Sequence, residues 1–171
     1  MKRKVLFKKG ISLVETLVAV GIMAMLMLAV SSMLMTTSNG EKRNRVISEV
    51  EFQATAIIDK ISQSIRNASS ITTPVVGASS TTLTLDLTSV PSDNPTVYSI
   101  DSNTLLVSKG GGPASSLVGS IVKITDLSFQ NISAVGSKGA VRVSMKISSV
   151  NPNNIDYLNY NTERITTVTL R

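Results

Sequence analysis

Glu15 is the only charged residue between Ile11 and Met35, and it lies five positions past Gly10, which itself follows the pair Lys8-Lys9. A carboxylate in an apolar run is suited to one kind of chemistry, pairing with a cation in a low-dielectric setting. Unpaired at the centre of a bilayer a charge costs about 2.5–3.5 kcal/mol, and less near the interface. Gly10 has no side chain, and the adjacent lysines would hold this point of the chain at a membrane surface.

Other chemistry is poorly supplied. The chain has no Cys and no His, which excludes disulfides, lipid attachment to a cysteine, His or Cys metal sites and histidine-assisted nucleophiles. The glycines at 110–112 lack a following Lys-Ser or Lys-Thr and read as a flexible loop rather than a phosphate cradle. Asp86, Asp93, Asp101, Asp126 and Asp156 lack calcium-loop spacing and read as solvated turn carboxylates. No catalytic residue, no cofactor and no metal is expected, and the chain does not read as an enzyme.

The elements that must position Glu15 are legible around it. From Ile11 to Met35 the sequence is Leu, Val, Ile, Met and Ala with a few hydroxyls and Gly21. As a helix it would be about 37 Å long, against roughly 30 Å of bilayer hydrocarbon. Of seventeen basic residues, Lys2, Arg3, Lys4, Lys8 and Lys9 precede it, leaving twelve against eleven acidic residues in the remainder. The net charge of +6 is therefore a cytoplasmic topology signal at the N-terminus. Single-pass insertion with the C-terminal part outside follows, and no second long apolar run exists. An ordinary secretory signal would use Ala29-Val30-Ser31 as its cleavage site, exposing Ser32. Against that, the apolar run continues to Met35 and Glu15 would be unexplained.

Past Met35, Ser38-Asn39-Gly40 signals a turn or loosened joint before the charged step Glu41-Lys42-Arg43-Asn44-Arg45. Ile47, Val50, Ala54, Ile57, Ile61, Ile65 and Ala68 then recur at intervals of three and four, an amphipathic helix with one apolar face. After Ser69 the composition turns to Ser, Thr, Val, Gly and Pro, with strands predicted at 82–88, 96–101, 104–109, 121–131, 140–150 and 164–171. Asp101-Ser102-Asn103 reads as a tight hairpin turn. Val141, Val143, Met145 and Ile147 alternate with polar residues, so that strand has one buried face. The predicted fold class is α+β, a long N-terminal helix packed on an antiparallel sheet.

The N-terminus resembles the prepilin signature of type IV pilins and type II secretion pseudopilins: a basic leader ending in Gly10, then Ile11, Ser12, Leu13, Val14 and Glu15, then an unbroken apolar helix. The later stretches IIDKISQSIRNASSI, ITDLSFQNIS and AVRVSMKISS, with the final TTVTLR, are similar in pattern to minor pilins and J-type minor pseudopilins. The resemblance implies a leader at 1–10, a membrane and assembly helix at 11–35, an amphipathic continuation at 36–70 and a β-rich head at 71–171. It implies cleavage by a prepilin peptidase at Gly10-Ile11 and methylation of Ile11, although the family most often has Phe there. Glu15 would pair with the N-terminal amine of a neighbouring subunit. The implied partners are other pilins or pseudopilins, the peptidase, an inner-membrane assembly platform and membrane lipid. The absent C-terminal disulfide and the absent proline in the apolar helix favour a minor component.

A membrane-anchored extracytoplasmic binding module is the alternative. Direct nucleic-acid binding is disfavoured. Arg142, Lys146, Arg164 and Arg171 have only Tyr98, Phe129, Tyr157 and Tyr160 to interleave with. Asn67-Ala68-Ser69 and Asn131-Ile132-Ser133 fit the glycosylation pattern and carry little weight.

Overall fold

One helix, α1, runs from Leu13 to Asn67 and supplies two different surfaces along its length. The computed structural model describes residues 12–134, 136 and 138–171, so Gly10 and Ile11 lie outside the described residues. The chain divides into two units, Met1–Glu41 and Lys42–Arg171.

In the first unit α1 is apolar on all sides. Several of its hydroxyls turn inward to the backbone: Thr16 Oγ1 donates to Leu13 O at 2.8 Å and Ser32 Oγ to Ala29 O at 2.9 Å. The turn expected at Asn39-Gly40 is absent, and helix continues through Ser38, Asn39 and Gly40. A glycine in a helix interior costs only about 1 kcal/mol against alanine. Thr36 and Thr37 further occupy the Ser32 and Met33 carbonyls, each at 3.0 Å.

In the second unit the helix is striped. Val50, Ala54, Ile57, Ile61 and Ile65 are buried on α1, as the three-and-four spacing requires, and Ala68 is buried just beyond its end. Among the described residues nine strands follow: β1 Ser70–Thr73, β2 Ser79–Ser80, β3 Leu83–Asp86, β4 Thr96–Asp101, β5 Thr104–Lys109, β6 Ser115–Ser116, β7 Val122–Asn131, β8 Ala140–Ser149 and β9 Asn161–Thr169. They form two antiparallel sheets rather than the single one expected, in the orders β1-β3-β4-β5-β6 and β2-β7-β8-β9. One core joins the helix stripe to Leu83, Leu85, Tyr98 and Leu105 of the first sheet and Phe129, Val141, Met145 and Ile147 of the second. The short strands β1, β2 and β6 were not expected. Their Ser and Thr residues pair at sheet edges without an apolar alternation to mark them.

The β4–β5 hairpin turns as expected, with Ser102 at φ 49° and Asn103 at φ 65°. In β7 the register slips between Ile124 and Asp126. The extra residue of this bulge keeps Val122 and Ile124 on the same buried face as Leu127 and Phe129, which strict alternation would have put on opposite faces.

Candidate functional site

Every large apolar side chain between Leu13 and Met35 is more than half exposed, from 52% at Val18 to 79% at Leu13. By length and composition this stretch of α1 can cross a membrane. The internally bonded hydroxyls suit such a setting, where water does not satisfy them. Glu15 sits exposed in the first turn of α1, the end of a helix that favours negative charge. Among the described residues it has no ion pair and no side-chain hydrogen bond. Its predicted partner, an N-terminal amine at Ile11, lies outside the described residues.

The second unit carries three side-chain ties between helix and sheets. Tyr98, fully buried, shares a 2.6 Å hydrogen bond with Ser64 of α1, and burial raises its phenol pKa. Tyr160 Oη donates to Glu51 Oε1 at 2.6 Å, and Arg164 Nη2 pairs with Glu51 Oε2. The Tyr160 hydrogen bond, with Arg164 assisting, holds the Glu51 carboxyl below its ordinary value, while Tyr160 is raised by the same carboxylate. Gln53 Oε1 accepts the Gly119 N–H at 2.9 Å while its Nε2 donates to Glu49 at 2.7 Å. A Cβ at Gly119 would come within 2.4 Å of Gln53 Nε2, so a larger residue there would have to displace the end of the Gln53 side chain that makes this tie. None of these ties was legible in the sequence, because partners such as Glu51 and Tyr160 are far apart in the chain and meet only across the packed layers.

The basic and aromatic residues weighed for nucleic-acid contact are not gathered on one surface. Arg142 and Lys146 lie on the exposed face of β8, and Lys146 is 4.0 Å from Asp126. Arg164 is opposite Met145, on the other face, and is held by Glu51. Tyr98 and Phe129 are core residues and offer no stacking surface. Asn131 is 2% exposed, with Nδ2 donating to Pro74 O at 2.8 Å, so that amide is not presented to an enzyme that attaches glycans. The 110–112 glycines form a tied turn rather than a loose loop: Gly110 N–H donates to Pro95 O at 3.0 Å, Ser108 Oγ to Gly112 O at 2.7 Å, and Lys109 pairs with Asp93. No group of three or more potential acidic metal ligands occurs among the described residues.

The charged step after the apolar stretch contributes one more feature. Lys42, Arg43 and Arg45 are exposed on consecutive positions of α1 around Asn44, and none has a hydrogen bond or ion pair among the described residues. Comparison with known proteins adds nothing to this geometry, since no family model, curated protein or solved structure matches the chain.

Proposed function

We propose that the chain is a minor pilin or pseudopilin, a structural or priming subunit inserted in the bacterial cytoplasmic membrane and, after removal of residues 1–10, assembled with related subunits into an envelope filament. The observation that carries this reading is Glu15, a lone carboxylate at the start of an apolar helix that nothing else in the described chain buries. Its position five residues after Gly10 is the spacing at which the resemblance assigns a partner, the amine freed at Ile11. Pairing would remove the penalty of holding the carboxylate in low dielectric and would give neighbouring helices an axial register. The helix that would serve assembly at one end serves as the head's packing element at the other.

N-terminal sequencing of mature protein tests the processing step: Ile11 is expected, Ser32 would indicate an ordinary secreted protein, and Met1 an uncut anchor. Gly10→Val should leave residues 1–10 attached, and normal processing of that variant would count heavily against the reading. Glu15→Val should insert in membranes as well as or better than wild type, because it makes the helix more apolar, yet crosslink less to neighbouring subunits. Undiminished crosslinking with normal assembly would reduce Glu15 to an interfacial charge on a membrane-anchored binding module.

A further inference from the structure

We propose that Lys42, Arg43 and Arg45 form a cationic cluster that binds anionic phospholipid headgroups on the outer face of the membrane. This inference rests on insertion of the apolar stretch of α1. Lys42 follows Met35 by seven positions, about two helical turns. The intervening Thr36, Thr37, Ser38 and Asn39 give a graded passage from apolar to polar to charged. The order of these layers matches hydrocarbon, interface and phosphate; the polar zone is about 5–7 Å deep on each side, so cations about 10 Å past Met35 reach it by leaning back toward the apolar stretch.

At 100° per residue the three cations fall within an arc of about 160° of the helix. Two observations favour lipid over a protein groove as the occupant. Side chains on a helix tilt toward its N-terminus, so these three lean back in the direction of the apolar stretch. All three are also exposed with no hydrogen bond or ion pair among the described residues, and the only carboxylate in the step, Glu41, leaves it at net +2. The five cations before Gly10 outnumber these three, so the cluster does not reverse the orientation signal.

The test uses the full chain reconstituted in phosphatidylcholine vesicles. Preference for spin-labelled phosphatidylglycerol over spin-labelled phosphatidylcholine is read from the motionally restricted lipid signal, for wild type and for K42Q/R43Q/R45Q. Each cation near an anionic surface is worth roughly a fivefold preference. Wild type should therefore exceed the triple variant at least fivefold in low salt, with the gap closing in about 1 M salt, where screening acts within about 3 Å. Equal preference in the two proteins would overturn the proposal, as would a gap insensitive to salt. Vesicle flotation separates the underlying reading: if neither protein floats with phosphatidylcholine vesicles, insertion itself fails and the cluster's role with it. If both float and only the lipid preference is unchanged, the cluster's role alone fails. Because the chain has no cysteine, a Ser48→Cys probe can be crosslinked specifically. Unchanged lipid preference together with lost crosslinking between copies in the triple variant would assign the cluster to chain–chain contact instead.

Discussion

The two halves of α1 share a backbone conformation and differ in what that conformation is for. From Leu13 to Met35 apolar side chains surround the helix and all stay exposed, while Val50, Ala54, Ile57, Ile61 and Ile65 form one stripe buried in the core with the two sheets, and Phe52, off that stripe, stays exposed. Apolarity on all sides suits a helix whose solvent is lipid or other helices, and a stripe suits a helix with one wet side. The first half lacks any partner within its own described chain. The second cannot be removed without opening a core.

Deletion puts that difference to its largest test. A chain lacking residues 1–38 should fold as a soluble α+β head with cooperative unfolding, since the buried stripe begins at Val50. A chain starting near residue 70 should aggregate, because the faces of both sheets that contact Ile57, Ile61 and Ile65 would be bare. Equal solubility and equal folding by circular dichroism would show that the helix is no part of the core.

Single truncations sharpen the same contrast. Ile61→Ala, at a position with no exposure, should destabilise the head by about 2–5 kcal/mol in urea unfolding of the full chain in detergent. Leu26→Ala, at 61% exposure in the first half, should leave that transition unmoved. A comparable loss from Leu26→Ala would mean that the apolar stretch helps to stabilise the head.

The smallest expected effect concerns the Glu51 tie. Its carboxyl is held below the ordinary value chiefly by the Tyr160 hydroxyl, so the folded state releases that proton more readily than the unfolded state. The resulting stability is present above the unfolded carboxyl range and is lost as pH falls through the lower folded value. Glu51→Gln should thus cost under about 1 kcal/mol at neutral pH, as expected for a partly exposed ion pair, and flatten the acid limb of the stability curve. Asp93, held low by Lys109, would keep part of that limb. An acid limb unchanged in Glu51→Gln would remove the tie from the account of stability.

The sequence alone determined the features that depend on local period and composition. The apolar helix, the buried stripe, the Ser102-Asn103 turn and the buried face of β8 follow from residues a few positions apart, and the structure has each of them. Lone Glu15 and the basic cluster before Gly10 are equally plain, although Gly10 and Ile11 lie outside the described residues. Tertiary structure decided the rest. It ran helix through Asn39-Gly40 despite a turn signal, because a weak local preference yields to hydrogen bonding along the helix. It divided the strands into two sheets and assigned Tyr98 and Phe129 to the core. It also joined Glu51 to Tyr160 and Arg164, Gln53 to Gly119 and Tyr98 to Ser64. Sheet membership and side-chain ties depend on residues distant in the chain, and no short-range periodicity encodes which distant partner a strand or a carboxylate will meet.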